Sequence, residues 1–430
     1  MAVLGLDGLS LDMAHALAGR GTAPNLAALL PACTSMRAEL PELSPVNWTS
    51  LATGAGPGEH GVFGFTRLDP ASYQISITDS SAVACPTVFD RLGRAGLSAR
   101  VLNLPNTWPA RPRPDSNFRG MLVAGFVAQD LERAVHPPPL AGMLRSIGYR
   151  LEADTNPALA DAAYLPAELG DVLEGRLRAL DLLWNDMAWD LFVFVLTETD
   201  RLFHFLHPAV LDGHHPLHEA VTAFMQRWDA AVGVFLKRFE ALPEPKTLMV
   251  LADHGFTNLI TEVDVNAWLR RQGLLRLSGE PSSELDAAVI GPDSAAFALD
   301  PGRIYLHDAR FARGRLEAGQ RGHMLERIAR GLMALRFNGR PVMAAVHTGS
   351  DLYQGPRAPF APDLVCEPEP GFDLKAKFDR TEIFGRFGRT GAHTADGAIF
   401  FHSRGTKASG PAQAGRLILD FFGLSPHNAP

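Results

Sequence analysis

Leu43-Ser44-Pro45-Val46-Asn47-Trp48-Thr49-Ser50-Leu51-Ala52-Thr53-Gly54 is the stretch on which the reading of this chain turns. It reads as a short helix with Ser44 at the N-cap and Pro45 at the first helical position. A helix N-terminus presents unpaired N–H groups and a partial positive charge, so it suits an anion. A serine at that point is either a cap or a nucleophile facing a phosphate. Local sequence alone favours the cap. The second reading needs metal ligands from elsewhere in the chain. Thr49 and Thr53 are rival hydroxyls by proximity, but they fall inside the helix.

The composition is that of a globular protein of 430 residues, with 46% hydrophobic and 20% charged residues. That length allows one large α/β domain with insertions. No apolar run reaches the roughly 18 residues of a membrane span. The N-terminal residues lack a basic segment and run directly into a strand, so a cytoplasmic location without a membrane is expected. Cys33, Cys85 and Cys366 are far apart and form no metal-ligand spacing. A net charge of −7 argues against a nucleic-acid partner.

Along the chain, three apolar segments end in acids. Residues 2–6 read as a buried parallel strand ending at Asp7-Gly8. Residues 190–196 lead to Glu198, Asp200 and His204. Residues 246–252 end in Asp253-His254-Gly255. In open α/β sheets, ligands bind beyond the carboxyl ends of the strands. Each acid alone reads as a turn residue. Three of them at one sheet edge would repel strongly unless cations lie between them. The Asp200-x-x-x-His204 spacing places both side chains one helical turn apart, which suits a shared metal. The histidine-dense stretch from His207 to His218 reads mostly as surface or loop. His60 reads as a residue that fixes its own loop through the backbone. Residues 105–120 read as a rim loop whose Arg111 and Arg113 are solvated. Residues 121–165 read as an excursion, and 258–385 as a cap-like α+β insertion. The catalytic core is expected from 1–257 and 386–430. His393 precedes a last strand over 398–402.

In this order the motifs resemble those of the alkaline phosphatase superfamily, and among its branches the type I phosphodiesterases and nucleotide pyrophosphatases. The resemblance rests on Leu6-Asp7-Gly8, Ser44 through Gly54, Pro57-Gly58-Glu59-His60-Gly61, Asp200-Arg201-Leu202-Phe203-His204, Ala252-Asp253-His254-Gly255 and Gly391-Ala392-His393. Val263 through Leu269 and Leu352-Tyr353-Gln354-Gly355 add to it. It implies a three-layer α/β/α fold with a mostly parallel central sheet. It also implies two divalent ions, zinc with manganese as the alternative. One would be held by Asp200, His204 and His393, the other by Asp7, Asp253, His254 and the Ser44 hydroxyl. Ser44 would attack a small phosphorylated substrate, forming a phosphoseryl intermediate in phosphodiester or pyrophosphate cleavage. Asn47 would donate its amide to a phosphoryl oxygen. Diesterases of this branch usually carry threonine where this chain has Ser44, and serine is the nucleophile in the superfamily's phosphatases. A phosphomonoesterase is therefore the alternative. A non-catalytic metal-binding scaffold is the reading from another class.

Overall fold

A computed structural model describes residues 1–114, 116–186 and 188–424. Asp115 of the expected rim loop and the 425–430 end of the expected core lie outside them. The main sheet has eight strands: β1 (Ala2–Leu6), β2 (Thr34–Met36), β3 (Ala99–Leu104), β4 (Gly120–Ala124), β5 (Val135–His136), β6 (Leu191–Leu196), β7 (Leu248–Leu251) and β8 (Ala398–His402). Their order is β2-β8-β7-β1-β6-β3-β4-β5. The five strands from β7 to β4 are parallel. The flanking strands β2, β8 and β5 pair antiparallel. β1, β3, β6 and β7 are buried along their whole length, and β1, β6 and β7 accordingly read as unbroken apolar runs. The fold is thus mixed α/β around a large, mostly parallel sheet. No described helix is long and apolar enough to cross a membrane.

The expected strand near 36–40 lies at Thr34–Met36. The 121–165 excursion needs a larger correction. Its first residues are β4, which extends the parallel sheet beside β3. Half-burial and a mixed Gly-Met-Leu-Val-Ala sequence hid that strand from any periodicity.

The helix Ser44–Thr53 is buried at every position. Its N-cap is Leu43, and Ser44 is the first helical residue with no side-chain capping bond. The expected cap role is therefore not taken by Ser44, and its hydroxyl is left for other partners. Gly54 ends the helix in the left-handed conformation (φ 66°). The helix is seated on β1 by Trp48, which is fully buried. A Cβ at Gly5 would lie 2.5 Å from the Trp48 ring, so glycine there lets the ring reach the strand. The helix Glu198–Leu211 follows β6 directly and carries Asp200 and His204. A two-stranded ribbon of Gly255–Asn258 and Gly391–Thr394 sets His393 opposite Phe256.

Contacts divide the chain into two units. The first comprises 1–56, 79–258 and 388–430, and the second comprises 57–78 and 259–387. The largest difference from expectation is 57–78, expected in the core, which belongs with the 259–387 segment; residue 258 and residues 386–387 also change sides. Its hairpin (Thr66–Leu68 and Ile75–Ile77) brings Tyr73 into that unit's own apolar core, and the Arg303 guanidinium donates to the Thr66 carbonyl at 2.9 Å. Within the second unit Asp264 caps the helix Val265–Arg271, accepting from the Ala267 N–H at 2.8 Å. The neighbouring Asn266 is bonded both ways to Ala298. Tyr353 packs edge-on against Phe63. Both of these resemblance-bearing segments therefore have structural work inside their own unit.

The Gly5–Trp48 contact has a measurable cost if disturbed. Gly5→Ala should lower stability by about 1–3 kcal/mol in urea titrations, the usual penalty for overpacking. Unchanged stability would mean that Trp48 does not hold the helix against β1.

Candidate metal and phosphoryl-transfer site

Ser44, Asp7, Asp200, His204, Asp253, His254 and His393 converge beyond the carboxyl ends of β1, β6 and β7. Asp200, His204 and His393 form the tightest cluster. His204 Nε2 and His393 Nε2 lie 3.4 and 3.2 Å from Asp200 Oδ1, and 3.1 Å from each other. Asp7, Asp253 and His254 form a second group whose ligand atoms lie within 4.8 Å of one another. His254 Nε2 is 3.3 Å from Asp253 Oδ2 and 3.8 Å from Asp7 Oδ1. It is also 3.9 Å from Asp200 Oδ1, so this ring stands between the two groups. The Ser44 hydroxyl lies 3.3 Å from His254 Nε2 and 3.5 Å from Asp7 Oδ1.

Backbone carbonyls fix the rings. His393 Nδ1 meets the Glu42 carbonyl at 2.8 Å, and His254 Nδ1 meets its neighbour Gly255's carbonyl at 3.1 Å. A carbonyl accepts only, so each Nδ1 carries a proton, and in the neutral ring each Nε2 turns a lone pair inward. That is the tautomer a metal needs. The facing Nε2 atoms of His204 and His393 require a proton or another cation between them.

The carboxylates make the same demand. Burial, with the charges of Asp253 and Asp200, pushes the Asp7 carboxyl well above its usual range. Burial and the Asp200 charge push Asp253 up to about 6. Burial also opposes ionisation of Asp200, but His204, His393 and Arg201 outweigh it and hold that carboxyl well below its usual range. Burial drives His204 down to about 3 and lowers His254. Asp200 Oδ1 and Asp253 Oδ2 are buried without a hydrogen-bond donor. Inward-facing imidazoles, crowded carboxylates and orphaned acceptors together form a donor set that fits divalent cations.

Three neighbours escaped the sequence reading. Trp48 Nε1 donates to Asp7 Oδ2 at 3.1 Å. It lies four residues after Ser44, hence on nearly the same helix face, and that spacing was the available signal. Arg201 lies 3.2 Å from Asp200 Oδ2 and from Glu152 Oε2, with its guanidinium over the Phe126 ring. The Phe256 ring packs against His204, His254 and His393. Neither Arg201 nor Phe256 was separable from its motif without knowing which way the chain turned.

Asn47 departs from expectation. Its side chain is fully buried. Oδ1 accepts from the Glu39 N–H at 2.7 Å, and Nδ2 donates to the Glu39 and Leu43 carbonyls at 3.3 and 3.1 Å. Both amide protons are engaged, so none is left for a phosphoryl oxygen. Thr53 donates to the Thr49 carbonyl at 2.8 Å, and Thr49 accepts from Asn106 at 2.9 Å, which occupies both rival hydroxyls. His60 accepts the Val62 N–H at 3.1 Å, the loop-fixing role expected of it. His207, expected near the surface, is buried, with Nδ1 2.7 Å from Asn258 Oδ1.

Comparison with known proteins places these features. Residues 1–396 match the family model described as type I phosphodiesterase / nucleotide pyrophosphatase. Among solved structures the chain is similar to phosphonoacetate hydrolase from Sinorhizobium meliloti 1021 in complex with phosphonoacetate. The identity is 16% and the TM-score 0.61, over 93% of this chain and 89% of that one. It is also similar to murine ectonucleotide pyrophosphatase / phosphodiesterase 5, at 14% identity and a TM-score of 0.58, over 100% of this chain and 97% of that one. Such low identities speak to the fold. A search of curated proteins returned no match.

The raised Asp253 carboxyl predicts a pH-dependent effect. In metal-free protein, the folded state binds this proton more tightly than the unfolded chain, so the penalty for ionising it grows as pH rises from about 4 through about 6. Asp253→Asn should therefore stabilise the metal-free protein over wild type by up to about 3 kcal/mol at pH 7.5. At pH 4 the gain should nearly vanish. With saturating zinc the sign should reverse, because a ligand is lost. Denaturant titrations with and without chelator measure all three.

Proposed function

The chain belongs to the type I phosphodiesterase/nucleotide pyrophosphatase family, and from that premise we propose that it cleaves a phosphodiester or pyrophosphate bond with Ser44 as nucleophile. Family membership makes it a metal-dependent phosphoester hydrolase. The proposal concerns the residues and the path. Asp200, His204 and His393 would hold one divalent ion, and Asp7, Asp253 and His254 the other, with Ser44 as a further ligand. Three imidazoles among the donors suit zinc, with manganese as the alternative. When bound, the two ions supply positive charge to the phosphoryl oxygens and lower the pKa of the serine hydroxyl.

The carrying observation is that the Ser44 hydroxyl faces two candidate metal ligands instead of its own helix backbone. It heads a helix without capping it and lies within 3.5 Å of both Asp7 and His254. From there Oγ forms a bond to phosphorus as the bond to the leaving oxygen breaks. Water then cleaves the Oγ–phosphorus bond and frees the serine. The helix N-terminus adds partial positive charge toward the phosphoryl group. Trp48 holds Asp7, while Arg201 engages the second oxygen of Asp200. Asn47 takes a positioning role, tying the 39–43 segment to the helix that begins at Ser44. Substrates are small phosphorylated molecules in this reading. A serine nucleophile also favours a second reading, a phosphomonoesterase.

Rates on p-nitrophenyl phosphate, bis(p-nitrophenyl) phosphate and a dinucleotide pyrophosphate, each with added zinc, separate the two readings. Ser44→Ala should lower kcat by about 10³-fold or more. Acid quenching of wild type during turnover should yield a phosphorylated peptide containing residue 44. If the protein binds no divalent ion and Ser44→Ala retains full activity, the mechanism fails; metal binding without hydrolysis of any of the three substrates would instead support the scaffold role.

A further inference from the structure

A cavity of about 510 Å³ lies within the first unit, between the Ser44–Thr53 helix, the 80–90 segment, residues 105–114 and Phe118. Thr49, Ala52 and Thr53 form its helix wall. Helical spacing of roughly 100° per residue puts Thr49 about 140° round the axis from Ser44, and Thr53 about 180°. The cavity therefore backs onto the nucleophile's helix and is separate from the metal site. Its size falls in the range of small-molecule pockets.

The lining has two characters. Phe89, Phe118, Leu122 and the prolines of the loop make the body apolar. Arg111 and Arg113 also line it, and both are exposed on the loop. Asp90 is the acid of the lining, and its carboxylate is engaged by the Thr87 N–H and hydroxyl, both at 2.8 Å. Asn106 is held in the left-handed region (φ 60°) and donates through Nδ2 to Thr49 Oγ1 at 2.9 Å. Its Oδ1 is buried without a donor. The site thus combines a largely apolar volume, two guanidinium groups and an amide acceptor lacking its partner.

We propose that this cavity binds a small aromatic anion, its ring against Phe89 and Phe118 and its carboxylate, sulfonate or phosphate at Arg111 and Arg113. Guanidinium groups are suited to such planar, charge-assisted recognition. An amino or hydroxyl group on the ring would satisfy Asn106 Oδ1. Contact with Thr49 and Asn106 would place the ligand directly behind the helix that carries Ser44. This inference is independent of the mechanism proposed for Ser44.

The test uses 1-anilinonaphthalene-8-sulfonate, an aromatic sulfonate whose emission rises on leaving water, titrated into the metal-loaded full-length protein. A single saturable site is expected. Arg111→Gln/Arg113→Gln should weaken binding by about tenfold or more, as loss of charge-assisted bonds does. Val83→Trp, which fills the cavity from its wall, should abolish binding while phosphohydrolase activity persists. Inorganic phosphate at concentrations that inhibit hydrolysis should leave the probe bound. Displacement by phosphate, or unchanged affinity in both variants with their folds intact by circular dichroism, would overturn the proposal.

Discussion

Mutual repulsion among Asp7, Asp200 and Asp253 is the constraint on which the site depends. Three carboxylates, each no more than 3% exposed, meet at one sheet edge where water cannot screen them. Proteins answer such crowding by protonating a carboxyl or by admitting cations. Asp7 and Asp253 are driven toward the protonated form, while Asp200 keeps its charge beside Arg201 and two imidazoles. Burial opposes protonation of His204 and His254 for the same reason. A divalent cation would resolve both halves of the problem at once. It would replace the proton on the acids and take the inward lone pairs of the rings.

The surrounding fold is arranged to hold that tension in place. The acids stand at the ends of strands buried on both faces, where the backbone has little freedom. Gly8 N–H donates to Asp253 at 3.2 Å, and the Thr199 hydroxyl donates to the Asp7 carbonyl at 2.6 Å, so each acidic turn braces another. Carbonyls of Glu42 and Gly255 orient two of the rings. The Ser44 helix is pressed on β1 through Trp48, and the same indole that fills the gap over Gly5 also reaches Asp7. One side chain thus couples core packing to the geometry of a candidate ligand.

Much of this was legible in the chain. Strands β1, β6 and β7 are continuous apolar runs because both faces are covered, and an acid just after such a run has only the sheet edge to occupy. Asp200 and His204 are four residues apart on a helix, so their proximity is local and follows from spacing. His393 is different. It reaches the site on a ribbon paired with residues 255–258, nearly 140 positions earlier, and periodicity carries no information about that pairing. Strand β4 was missed because an edge-proximal, half-buried strand lacks the apolar density of the central ones. The 57–78 hairpin was assigned by sequence order to the wrong unit, since its hydrophobic partners lie more than two hundred residues away.

By itself, then, the sequence determined the central strands, the nucleophile candidate and the six residues that gather around it. Local propensity and motif order suffice for those. Tertiary structure decided what each polar group is free to do. Ser44 reads as a cap from its neighbours, but Leu43 takes that position and leaves the hydroxyl facing Asp7 and His254. Asn47 reads as a donor to substrate, but the backbone of Glu39 and Leu43 claims its whole amide. Hydrogen-bond capacity is consumed by neighbours in space, and residues brought together by folding are the ones that settle which groups remain available for chemistry.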